Sequence, residues 1–187
     1  MTAADAVLFA RVRAGDEAAF VTLFERYYDP LCAFARGYVA SAEEAEEVVE
    51  DVFVRCWTLR AKLDIRESVK AYLYTATRNH ALNRLRRARA WTRWLAGRRA
   101  GDAVPGMGQH APDAEDALHA ADFAAAIDAA IAELPERCRQ VFTLHRAHGL
   151  THAEIAATMR IAPKTVENQL GRALKLLRAR LARYFDE

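Results

Sequence analysis

Apolar residues recur at three- and four-residue spacing along most of the chain, and Val/Ile/Thr alternation of the kind strands need is almost absent, so the pattern predicts helices throughout. Helical segments read as 3–13, 17–39, 42–60 and 67–96, then 114–133, 135–148, 151–159 and 163–184. Within 42–60 the periodicity turns Val48, Val49, Val52, Phe53 and Trp57 toward a core. The other face keeps Glu43, Glu44, Glu46, Glu47, Glu50 and Asp51, and Ser41 with Glu44 three residues on predicts a capping box at the start. Segment 67–96 has two apolar faces, Val69/Leu73/Ala76/His80 and Tyr74/Ala81/Leu85, which embeds it in a bundle. Near the end, Gly149 suits a helix C-cap, Thr151 and Glu154 form a second capping box, and Pro163 suits a first helical turn. A short helix, a turn at 160–162 and a long helix with one stripe, Val166, Leu170, Ala173, Leu174, Leu177 and Leu181, make a helix-turn-helix.

The stretch 99–116 interrupts this periodicity with Gly101, Pro105, Gly106, Gly108 and Pro112. It reads as a flexible linker between two small all-α domains, 1–98 and 117–187. With 187 residues, 52% of them hydrophobic and 28% charged, the chain has enough apolar surface for two small cores and is too short for a large multidomain enzyme. No apolar run approaches the ~20 residues of a membrane span, and acids stand where a signal peptide would carry basic residues, so a cytoplasmic protein with no membrane insertion is expected. Cys32, Cys56 and Cys138 are odd in number, far apart and without a CxxC pair; they read as buried thiols.

A formal net charge of +2 conceals strong segregation. Residues 1–60 carry net −5, 61–100 net +9, 101–136 net −8 and 137–187 net +6, which predicts two separate basic patches. The first patch ends a helix and holds Arg78, Asn79, Asn83, Arg84, Arg86, Arg87 and Arg89, with Tyr72, Tyr74, Trp91 and Trp94 interleaved. Arginines neutralise phosphates and aromatics stack on unpaired bases, so together they suit single-stranded or melting DNA; Tyr74, like Trp57 before it, reads as core. In the second patch the wheel of 163–184 sets Lys164, Asn168, Gly171, Arg172 and Lys175 opposite the apolar stripe, with Thr165 and Gln169 at its flanks. Amides and hydroxyls for base edges, cations for phosphates and a small residue for a tight groove are what a recognition helix requires.

The acidic face of 42–60 admits three readings: a solvated helix, one arm of a carboxylate-metal hydrolase, or a docking surface for a basic partner. A metal site lacks a second inward-facing acidic cluster or a Glu-x-x-His motif. His145, His148 and His152 lack an acid or thiol nearby to complete a zinc set, so no metal and no other cofactor is expected.

The segments EEAEEVVEDVFVRCW (43–57), AYLYTATRNHALNRLRR (71–87), LPERCRQVFTLHRAHGLTHAEIAATM (134–159) and APKTVENQLGRALKLL (162–177), in this order, resemble the extracytoplasmic-function group of bacterial sigma factors. The resemblance implies a non-catalytic subunit that joins RNA polymerase core through its beta-prime and beta subunits, recognises promoter DNA and helps to open it; an anti-sigma factor is a further partner it allows. It implies core docking at Glu47, Glu50, Asp51 and Phe53. Minus-10 recognition falls to Tyr72, Arg78, Asn79, Asn83, Arg84, Arg86 and Arg87, with a base captured by the loop Leu63–Lys70. Minus-35 recognition falls to Lys164, Thr165, Asn168, Gln169, Arg172 and Lys175. The chain departs from the group where Glu50 replaces a frequent Gln, Asn83 a frequent Asp and Gln169 a frequent Arg. The last change predicts adenine in place of guanine at one minus-35 position. The alternative from the residues alone is a stand-alone helix-turn-helix repressor, which would need to dimerise on a palindrome.

Overall fold

A computed structural model describes residues 3–65, 68–96 and 118–182. Among these there are eight α-helices and no strand, and the chain divides into two compact units, Met1–Met107 and Gly108–Glu187. The expected linker 99–116 lies outside the described residues.

The first unit holds α1 (Ala3–Arg13), α2 (Glu17–Ala35), α3 (Ala42–Leu59) and α4 (Val69–Ala96). Between α1 and α2 the chain turns at Gly15, whose φ of 91° is open to glycine at little cost. Asp16 then caps α2 by accepting the Ala19 N–H. The same carboxylate takes a salt bridge from Arg11, and these two partners hold its pKa below the usual range. Deeper in, Asp5 of α1 accepts from Arg26 at 2.5 Å and from the Tyr27 hydroxyl at 2.8 Å, which ties α1 to α2 through a carboxylate that is itself buried.

Helix α2 stops at Ala35 instead of reaching 39. Gly37 and Tyr38 close three-residue turns onto Phe34 and Ala35, and Ser41 must be extended (φ −135°, ψ 166°) to cap α3, so the chain has to leave the helical region between them. Ser41 accepts the Glu44 N–H as predicted, but the Glu44 carboxylate reaches back to the Ala40 N–H, one residue before the cap.

The core of this unit is Leu23 and Leu31 of α2, Val48, Val49, Val52 and Phe53 of α3, and Leu73 and Tyr74 of α4, all at 2% exposure or less. Phe53 sits among Phe24 (4.8 Å between ring centroids) and Phe20 (6.1 Å), and Tyr74 packs on Phe34 (5.1 Å). Helix α4 packs against α1, α2 and α3, which is the embedding its two apolar faces predicted.

The second unit holds α5 (Leu118–Ala132), α6 (Glu136–Arg146), α7 (His152–Met159) and α8 (Pro163–Leu181). Thr151 and Glu154 form the full reciprocal capping box at the start of α7. Arg160 ends α7 in the left-handed region (φ 54°, ψ 50°), and Ile161 returns its N–H to Ala156, which closes α7 before the turn into α8. Val166, Leu170, Ala173 and Leu177 of α8 are buried against α5, α6 and α7, with Cys138, Val141, Leu144, Ile155 and Met159 among their surroundings.

Leu174 departs from the expected stripe and is 45% exposed. The buried arc of α8 is displaced toward Thr165, Gln169 and Leu176, which are half-buried, because α5 and α6 cover that side. Leu174 sits on the opposite rim. All three cysteines are buried free thiols, and burial pushes Cys56 up to about 11, well away from reactive thiolate behaviour.

Candidate docking and nucleic-acid interfaces

Helix α3 buries Ala45, Val48, Val49, Val52, Phe53 and Cys56, so its opposite side is left to solvent. There Glu47, Glu50 and Asp51 are exposed one turn apart, while Glu44 is occupied by its capping role. Phe53 does not join them. At 2% exposure within the Phe20/Phe24 cluster it cannot touch a partner directly; it fixes the rotation of α3 and hence the direction of the acids. The residue that does extend the acidic row is Val54, 64% exposed. The sequence carried the signal for it, since Val54 lies seven and four residues beyond Glu47 and Glu50, off the buried stripe. Trp57 is half-buried, stacked by the Arg60 guanidinium at 4.1 Å from its ring centroid.

On α4 the buried side chains Ala71, Leu73, Tyr74, Thr77 and Ala81 define an inner arc. At 100° per residue Tyr72, Asn79, Asn83, Arg86 and Arg87 fall together on the outer arc. Asn83, Arg86 and Arg87 are exposed and Tyr72 and Asn79 half-buried, and Arg86 donates to the side-chain amide oxygen of Asn83. Arg84 and Arg78 stand apart from this group on its two rims. Arg84 turns to α3 and pairs with Glu47 at 2.5 Å, which joins the acidic and basic faces of the unit. Arg78 is half-buried, and its Nε is buried with no hydrogen-bond partner among the described residues. Arg89, Trp91 and Trp94 have side chains outside the described residues, as do residues 66 and 67 of the loop before α4.

In the second unit Lys164, Asn168, Gly171, Arg172 and Lys175 are exposed on the side of α8 opposite its buried arc. Lys164 is paired with Glu167 at 2.8 Å, and this partner favours its charged form. Thr165 and Gln169 lie on the half-buried flank. Gln169 is further constrained: its Oε1 accepts from the Cys138 thiol of α6 at 2.9 Å. A Cβ added to Gly171 would meet nothing within 4 Å, so packing inside the unit does not require glycine there. His145 donates from Nδ1 to the Leu150 carbonyl at 3.1 Å and lies 5.4 Å from His152 between ring centroids, so its ring ties the end of α6 to the turn that follows. Among the described residues no three His, Cys, Asp or Glu side chains are grouped to hold a metal ion, and no helix is long and apolar enough to cross a membrane.

Two family models match the chain: Sigma-70 region 2 over residues 23–92 and Sigma-70, region 4 over 124–177. The ECF RNA polymerase sigma factor SigM of Mycobacterium tuberculosis is 30% identical over 185 residues, 96% of this chain and 83% of its own length. The RNA polymerase sigma factor CnrH of Cupriavidus metallidurans is 28% identical over 187 residues, 98% and 95% of the two chains. Among solved structures, the sigma factor RpoE of Bartonella quintana, in complex with the anti-sigma factor NepR, shares the fold with a TM-score of 0.64 at 23% identity, over 87% of this chain and 96% of that one. A repressor acting through its helix-turn-helix alone would leave the region 2 match without a counterpart, and that alternative is set aside. The two matched regions and the relatives that align over nearly its whole length place the chain in the ECF RNA polymerase sigma factors.

Proposed function

We propose that the chain carries bacterial RNA polymerase core to its promoters through three separate faces, acting by binding and without catalysis, in the cytoplasm. Unit 1–98 docks to the beta-prime subunit through Glu47, Glu50 and Asp51, with Val54 adding an apolar contact. The outer arc of α4, Tyr72, Asn79, Asn83, Arg86 and Arg87, together with Arg84 and Arg78 at its rims, holds the opened minus-10 strand. Unit 117–187 lays α8 in the minus-35 major groove, where Lys164, Thr165, Asn168, Gln169, Arg172 and Lys175 meet bases and phosphates. Extruding a base costs a few kcal/mol, least at easily unstacked steps, and a strand captured on α4 offsets that cost, so opening requires no nucleotide hydrolysis. The observation that carries this reading is the exposed row Lys164, Asn168, Arg172 and Lys175 on the second helix of a helix-turn-helix, set against a buried stripe that leaves it nowhere else to face. An anti-sigma factor, of the kind that holds RpoE of Bartonella quintana, would compete for the same faces.

Labelled chain titrated with RNA polymerase core tests the reading. Nanomolar binding that a housekeeping sigma factor displaces is the expected result; no binding at micromolar core would overturn it. A second test uses Gly171. Glycine inside a helix costs roughly 0.5–1 kcal/mol relative to alanine, and the space around this one is open. Gly171→Ala is therefore expected to raise the melting temperature while lowering affinity for minus-35 duplex, because the added methyl meets the groove. A variant that is both more stable and equally tight would remove Gly171 from the interface.

A further inference from the structure

We infer that Cys138, a buried residue of α6 that touches no DNA, decides which bases Gln169 can read. The inference rests on the reading that α8 lies along the minus-35 duplex. A glutamine with both amide ends free pairs with adenine, its Nε2 donating to N7 and its Oε1 accepting from the N6 amino group. Gln169 does not have both ends free. Its Oε1 accepts from the Cys138 thiol at 2.9 Å, and Cys138 is fully buried, so no water competes for the thiol end of that bond. The half-buried flank position of Gln169 keeps the side chain from swinging out as a freely exposed one would.

An amide carbon holds its oxygen and nitrogen about 120° apart, so turning the carbonyl inward turns the amino group outward. What remains for the DNA is a donor. A donor reads acceptors: guanine offers two in the major groove, O6 and N7, thymine O4 and adenine N7 offer one each, and cytosine presents the N4 donor. The residue types alone predict adenine at this position; the Cys138 bond turns that into a preference for guanine. Cys138 is thus a positioning residue acting through Gln169.

The experiment is a selection from duplexes randomised across the minus-35 element, using holoenzyme assembled from core and full-length wild type, Gln169→Ala, Cys138→Ala or Cys138→Ser. Gln169→Ala identifies the position by flattening it. At that position wild type is expected to enrich guanine. Cys138→Ser, which keeps a hydroxyl donor, is expected to preserve that preference. Cys138→Ala frees the carbonyl and should move the preference toward adenine by fivefold or more. A merely structural role for Cys138 would lower affinity evenly over all sequences and leave the base profile unchanged, which overturns the inference. So does adenine selected by wild type. A Gln169→Ala profile identical to wild type overturns the inference for a different reason, because it removes Gln169 from the duplex face altogether.

Discussion

Reversing Glu47, Glu50 and Asp51 together to lysine is expected to weaken binding to RNA polymerase core at least a hundredfold, about 3 kcal/mol. All three side chains are exposed, and the buried stripe of α3 from Ala45 to Cys56 is untouched, so the helix should keep its packing. The loss should appear mainly as slower association and a much flatter salt dependence, since opposed charge fields steer encounter before contacts form. Glu47 also holds Arg84, so its reversal sets two cations against each other inside the unit. The pair Glu50→Lys and Asp51→Lys, which leaves that ion pair alone, separates the docking effect from this internal one. Equal affinity of the triple variant and wild type, measured by fluorescence anisotropy at physiological salt, would remove the acidic face from the interface.

The second large effect lies on the opposite charge. Replacing Arg84, Arg86 and Arg87 by alanine is expected to lower holoenzyme affinity for the minus-10 single strand by about a hundredfold at low salt and to abolish stable opening. Each phosphate contact on a single strand contributes about 0.7 to the slope of log affinity against log salt, so three lost contacts should make that slope shallower by about 2. Core binding should survive, because the acidic row of α3 remains. Arg84 begins paired with Glu47, so it has to exchange one anion for another; its single variant should therefore lose less than Arg86 or Arg87. An unchanged slope in the triple variant would place the strand elsewhere.

The helices themselves were legible because their signals are local. Ser41, Thr151 with Glu154, and Pro163 mark starts by side-chain and backbone chemistry within four residues, and the 3.6-residue apolar period names the inner faces. Where the reading of α2 ran four residues long, the deciding event was also local, but it was a sequence of turns and an extended cap that apolar spacing does not encode.

Side chains near the boundary of a buried arc were not legible. A helical wheel gives angles but not which neighbouring helix covers which rim. Leu174 and Gln169 lie at or near such rims, and each fell on the side that packing chose: Leu174 outward, Gln169 onto Cys138. The Glu47–Arg84 pair is of the same kind, since its partners are 37 positions apart and meet only because α3 and α4 pack together. The sequence by itself determined the all-helical fold, the segregation of charge into acidic and basic faces and the helix-turn-helix, because propensity, period and capping act within one or two turns. Only the tertiary structure decided which polar groups on those faces are free and which are already held, because that depends on contacts between helices distant in the chain.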